Sequence, residues 1–415
     1  MHAALKPMAP RESYSALGEA FTAPVAVLPK PTTKDIPLEA IRGVAAISVV
    51  LWHSMLGFFP EKSGFFPQFP VSESFVGAPG FGLVYGTPAI TLFFVLSGYV
   101  LTRRYFETQD GGLILRGILK RWPRLAGPVL IVVMASYALF TLHGYSHLAA
   151  AQITKSPWLA HFANVSDTPF TPGFFDALNQ GVFATFFRGD SYYDSSLWTM
   201  RYEFGGSFLA FGAALALGLF RGVSKYVAAS ALGVLLIFLN ANGAAYSPFV
   251  IGVGLAYFLP LRAKWPPLAA HGAIALAIYL FGFSGKCLGV YGFMPPALGG
   301  AESNFHILAS LLLISAVEHG PIGLRRLLSG RAPAFLGALS FPIYLVHVLV
   351  IGSAGSAALV AAYGAGWGLD AARLLGVAIT LALSGLTALP LIAFNAYWVG
   401  VVNRGVAKLV ASDTA

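Results

Sequence analysis

The chain has 415 residues, of which 57% are hydrophobic and only 10% charged, and its formal net charge is +9. Soluble globular chains carry about a quarter charged residues, so this composition excludes an ordinary water-soluble domain and points to a protein embedded in the bilayer. A single cysteine, Cys287, excludes an intrachain disulfide or a cysteine metal cluster, and it makes a thiol nucleophile a poor expectation.

Residues 1–35 are polar, proline-rich and mixed in charge, and read as a disordered cytoplasmic tail rather than a signal peptide. Beyond them, several windows exceed about 18 residues with almost no charge, the signature of spanning helices. The expected fold is all-α and polytopic. About ten transmembrane helices are centred on 38–59, 83–105, 125–143, 196–220, 225–241, 245–261, 267–283, 304–320, 332–353 and 371–399. Together they make one transmembrane domain over 36–400, with a short cytoplasmic tail at 401–415. The longest extramembrane stretch, 144–195, is expected to hold an amphipathic or re-entrant piece near Phe174–Phe187.

Basic residues fall in alternate loops: Arg103, Arg104, Arg116, Lys120, Arg121 and Arg124, then Arg221 and Lys225, Arg262 and Lys264, Arg325, Arg326 and Arg331, and finally Arg404 and Lys408. The opposite loops carry Glu61, Glu73, Asp167, Asp176, Asp190 and Asp194. Positive charge is enriched on the cytoplasmic side. All basic loops share one side only if the number of spans is even and both termini are cytoplasmic. The positive excess then serves topology, anionic lipid or an anionic cytosolic substrate, and requires no nucleic acid.

The first span contains Arg42 and His53 with ten residues between them. Eleven steps of about 100° return to within about 20° of the start, so both point from one face, about 16 Å apart along the axis. Ionisable groups at membrane depth are costly and mark function by default. For Arg42, a snorkelling charge at the helix end is an equal alternative; for His53, a hydrogen-bonded packing role is the alternative. Arg121 and Arg124 flank Trp122 at the mouth of the third span. Their i, i+3 spacing lets two guanidiniums converge on one phosphate, or simply marks the positive-inside end. Ser97 and Gly98 lie mid-span and read either as a polar site or as close helix packing. Glu203 enters the fourth span and needs a partner such as Arg201, His53 or Arg42. His143, His147 and His161 lack acidic or cysteine partners at ligand spacing, so no metal site is expected.

Five segments then carry a resemblance: Arg42-Gly-Val-Ala-Ala through His53, Phe93 to Gly98, Arg121 and Arg124 followed by Pro128, Leu197-Trp-Thr through Glu203, and Ser340-Phe-Pro-Ile-Tyr344-Leu-Val-His347. In this order the chain resembles the acyltransferase-3 family of integral membrane O-acyltransferases. One departure is Val346, where that family usually carries Trp. Many relatives carry an added esterase-like domain, for which the length leaves no room here.

The resemblance implies transfer of an acyl group, acetyl being the family's commonest, from acyl-CoA to a hydroxyl of a glycan or related cell-surface or secreted acceptor, as in polysaccharide modification at a bacterial inner membrane. It implies His53 as general base, with an acyl group resting on His53 or a hydroxyl as the alternative. Arg42 holds the donor or stabilises the oxyanion, and Glu203 orients His53 or binds the acceptor. Arg121, Arg124, Trp122 and Ser97 form the cofactor site, and His347 packs, orients or relays a proton. A proton-coupled transporter or flippase using the same buried Arg, His and Glu set is the competing reading.

Overall fold

The computed structural model describes residues 35–162, 170–219, 225–242, 244–259 and 264–412. The N-terminal tail expectation therefore lies outside the described residues, as do Arg221 and Arg262. Among the described residues the chain is helical throughout, with no β-strand. Ten helices have twelve residues or more: α1 (Ile36–Phe58), α2 (Gly86–Thr108), α3 (Gly111–Thr141), α4 (Trp198–Leu219), α5 (Lys225–Asn242), α6 (Ser247–Phe258), α7 (Pro267–Phe281), α8 (Glu302–His319), α9 (Arg331–Val350) and α10 (Leu369–Ser412). Each segment read as a span falls on one of them.

Among the described residues, six stretches are long and apolar enough to cross a membrane: Ile36–Phe58, Gly111–Thr141, Ser195–Leu219, Pro296–His319, Arg331–Gly364 and Leu369–Val410. α5, α6 and α7 are apolar but shorter, and α2 has the length with a less apolar composition. A helix rises about 1.5 Å per residue, so the 12 residues of α6 cover about 18 Å, short of a hydrocarbon core of about 30 Å. α10 runs unbroken to Ser412, past residue 400, where a tail was expected.

Two pairs of glycines bring helices together where the site is built. A Cβ on Gly43 would lie 2.5 Å from the Leu336 carbonyl oxygen, and one on Gly337 would lie 2.9 Å from that of Glu39. Side chains cannot occupy that space, so α1 and α9 approach backbone to backbone there. Gly98 and Gly252 do the same for α2 and α6, facing the carbonyls of Phe249 and Val95. This is the small-residue packing expected in lipid, where van der Waals contact replaces the hydrophobic drive between helices.

The segment Phe174–Phe187 folds as a short helix, a π-helical turn over Gln180–Ala184, and a final helical turn. Phe174, Phe175, Leu178, Phe183 and Phe187 are exposed while Ala177, Gly181, Ala184 and Phe186 are buried, so the outward face is largely apolar, as the inward one is. A Cβ on Gly181 would lie 2.9 Å from the Leu130 Cα, which seats this segment directly on α3.

Candidate active site

The polar residues gather at two stations joined by one face of α4. The first centres on Glu203. Arg121, buried on α3, donates to Glu203 Oε1, and Ser97 on α2 donates to the same oxygen at 2.8 Å. Glu203 Oε2 engages no protein group among the described residues. The partners expected for Glu203 were Arg201, His53 or Arg42, and none of them fills that role. Arg201 lies two residues away, about 200° round the helix, and its Nη1 reaches the Arg188 carbonyl at 3.4 Å instead.

Arg124 follows Arg121 on the same face of α3. It is exposed, lies within electrostatic range of Arg121, Arg42, Glu39 and Glu203, and has no hydrogen bond or ion pair among the described residues. Arg42 joins this station from α1, donating to Glu39 Oε1 at 3.1 Å. It is not in contact with His53. Trp122 faces elsewhere: it sits two residues from Arg124, about 200° round the helix. Its indole N–H donates to the Val182 carbonyl at 2.9 Å, and its ring meets Phe187 edge-on. The tryptophan thus fastens the Phe174–Phe187 segment to α3.

The second station centres on His53. Its Nδ1 lies 2.7 Å from Nε2 of His347, which is fully buried on α9. The ring of Trp158 lies nearly parallel to that of His53, at 8° and 5.3 Å between centroids. His53 itself is half-buried, and its Nε2 engages no protein group among the described residues. His347 Nδ1 faces the Tyr344 carbonyl at 2.7 Å and the Ile343 carbonyl at 3.2 Å.

Thr199 and Glu203 are four apart on α4 and share a face. Thr199 Oγ1 lies 2.7 Å from the Tyr344 hydroxyl, which donates to the Ser196 carbonyl at 2.9 Å. One helix face therefore holds the α9 segment that carries His347 and, one turn further on, the carboxylate that holds Arg121. Just before α4, Asp194 is fully buried and accepts from the Ser196 amide and hydroxyl, both at 2.8 Å. Burial pushes its carboxyl up to about 7 against those bonds, and its second oxygen has no partner among the described residues.

Sequence reasoning passed over several of these residues. Trp158 sits in a short loop helix without periodicity, and Glu39 is a first-turn acid of α1. Arg103 pairs with Glu318 at 3.0 Å, and buried Arg373 pairs with Glu61 at 2.9 Å. The opposite charges in those two pairs are more than 200 residues apart in sequence, so no local signal joins them. Among the described residues, no three His, Cys, Asp or Glu side chains gather as metal ligands.

This arrangement can be set beside known proteins. The sequence model of a family described as an acyltransferase domain matches residues 36–399, which takes in both stations.

The chain belongs to the acyltransferase-3 family.

It is an integral membrane acyltransferase, with six helices long and apolar enough to span. The chain is also similar to the O-acetyltransferase PaAT-1 of Phomopsis amygdali, at 24% identity over 374 residues, covering 77% of this chain and 73% of that protein. No solved structure matches.

Proposed function

We propose that this acyltransferase moves an acetyl group from acetyl-CoA to a hydroxyl of a glycan or related cell-surface or secreted acceptor, with His53 as general base. The observation that carries this reading is the pairing of an unpaired, exposed Arg124 at one station with an unengaged His53 Nε2 at the other. The Thr199–Glu203 face of α4 ties α3, which carries Arg124, to α9, whose His347 meets His53. A coenzyme A donor is anionic at one end and reactive at the other, and it needs a free cation and a free base set apart.

Arg124 binds a donor phosphate directly, and Arg42 assists from α1. About 16 Å of axial rise separates Arg42 from His53, too far for Arg42 to serve as an oxyanion donor, so we assign it to donor binding. Arg121 and Ser97 act through Glu203, whose free oxygen faces the donor or the acceptor. The imidazole of His53 suits the base role because its unengaged Nε2 can take a proton from a hydroxyl. The acetyl choice and the hydroxyl acceptor are supported by the similarity to a named O-acetyltransferase.

We further propose ten spans with both termini cytoplasmic. Gly43 meets Leu336 and His53 meets His347, so α1 and α9 run parallel, as first and ninth spans must. The basic loops then share the cytoplasmic side. On the sparing use of cysteine we place the protein in a bacterial inner membrane, although the curated relative is fungal.

The test uses acetyl-CoA labelled in the acetyl group, given to proteoliposomes with cell-envelope extract. Label in an ester-linked, alkali-labile fraction of the extract supports the reading. Unchanged acetyl-CoA, with no binding of it, contradicts the reading and favours transport.

A further inference from the structure

We propose that His347 is the positioning residue that sets the tautomer of His53 and aims its Nε2 at the acceptor. The proposal rests on the reading of His53 as the base.

The argument starts from His347 Nδ1, which faces two backbone carbonyls, at 2.7 Å and 3.2 Å. Carbonyls only accept, so this nitrogen carries the hydrogen. Among the described residues no carboxylate meets the ring, and a buried imidazolium without one is expensive. The ring is therefore the neutral Nδ1–H tautomer, and its Nε2 offers a lone pair.

That lone pair faces His53 Nδ1 at 2.7 Å. A 5.0 Å separation of ring centroids is about as far as so short a contact allows, and the planes differ by only 12°. The two nitrogens therefore lie on the line between the centroids, and the bond runs in the plane of both rings, along the lone pair. His53 Nδ1 must then be the donor. A neutral His53 with its hydrogen on Nδ1 has its lone pair on Nε2, the nitrogen that no protein group engages. The near-parallel Trp158 ring limits rotation of the imidazole about its own axis.

In the reaction the acceptor hydroxyl gives its proton to His53 Nε2 as its oxygen bonds to the thioester carbon. The C–S bond breaks, the departing thiolate takes that proton from Nε2, and ester and free thiol result. His53 returns to its starting tautomer, and its Nδ1–H bond to His347 persists throughout. His347 thus plays the orienting part that a carboxylate plays beside the histidine of a hydrolase triad, but as a neutral acceptor.

The experiment compares thiol release from acetyl-CoA by proteoliposomes supplied with cell-envelope extract. The variants are His347→Leu, His347→Gln and His53→Gln, each first shown to fold by size-exclusion profile and thermal midpoint. Leu removes the acceptor, whereas Gln keeps a carbonyl at the Nε2 position. The expected result is a kcat loss on the order of 100-fold for His347→Leu with KM for acetyl-CoA unchanged, and recovery by His347→Gln to within about tenfold of wild type. Folded Leu and Gln variants of equal activity would overturn the proposal, because then the acceptor atom does not matter. Loss of KM alone would do the same. Full activity in His53→Gln would instead remove the base reading beneath it, which keeps the two failures apart.

Discussion

Arg121 is buried in an ion pair with Glu203, while Arg124, three residues further along the same face of α3, is exposed and has no ion pair among the described residues. Two arginines that look equivalent in sequence therefore have different jobs. One is committed to a carboxylate on α4 and fixes the helix pair. The other is free for a ligand.

The two arginines separate on substitution. Arg124→Ala should weaken binding of coenzyme A by roughly 10- to 100-fold, the worth of a charge-assisted hydrogen bond, and leave the thermal midpoint unchanged. Arg121→Ala leaves a largely buried carboxylate without its cation. It should destabilise the protein by about 3 kcal/mol, seen as a lower midpoint in detergent. Equal effects of both changes on binding and stability would show that the ion pair does not divide their roles.

Glu203→Gln keeps the size of the side chain and an acceptor for Ser97 but strands the Arg121 charge. Activity should fall, and stability should fall with it. The double change Arg121→Met, Glu203→Leu should recover stability without activity, since replacing both partners removes the unpaired buried charge. The thermal midpoints and acetyl-CoA consumption of the single and double variants check this.

Gly43→Ala inserts a methyl group 2.5 Å from the Leu336 carbonyl. Backbone cannot yield as a side-chain tip does, so α1 and α9 must separate. The His53–His347 bond sits on the same helix pair and should lengthen. Overpacking of this kind costs about 1–3 kcal/mol. We expect a lower midpoint together with reduced turnover, whereas Gly233→Ala, which meets open space on α5 and gains helix propensity, should leave turnover unchanged and not lower the midpoint.

Asp194 gives stability a pH dependence. Its folded carboxyl is raised to about 7 by burial, against about 3.9 in an unfolded chain. Between those values the folded state holds a proton that the unfolded state has released. This stabilising contribution is complete below about pH 4 and is lost as pH rises through about 7. The thermal midpoint should therefore fall from pH 5 to pH 8. Asp194→Asn mimics the protonated form, keeps the acceptor for Ser196, and should flatten that slope. A slope unchanged in the variant would assign it to another group.

Much of the fold was readable because lipid imposes a simple rule: apolar stretches must be helical. Each of the ten expected segments lies on a helix, and Phe174–Phe187 is helical, with large apolar side chains on its exposed face. The short α5, α6 and α7 show why length alone does not define a span. The site was readable as residues but not as partnerships. Arg42, His53, Ser97, Arg121 and Glu203 stood out because polar groups in apolar runs are costly. Glu203 was nevertheless expected beside His53, Arg42 or Arg201, and it pairs with Arg121 because α3 and α4 meet there. His347 was read as packing, orienting or relaying. Its parallel register with His53 depends on Gly43 and Gly337, and nothing local in the sequence connects those two glycines.

The most direct test of the account is release of free coenzyme A from acetyl-CoA by purified protein in liposomes with envelope extract, wild type against His53→Ala. The account predicts release by the wild type and its loss, by on the order of 100-fold or more, in the variant, with coenzyme A binding retained. Equal release by the two proteins would contradict the assignment of His53 as the base.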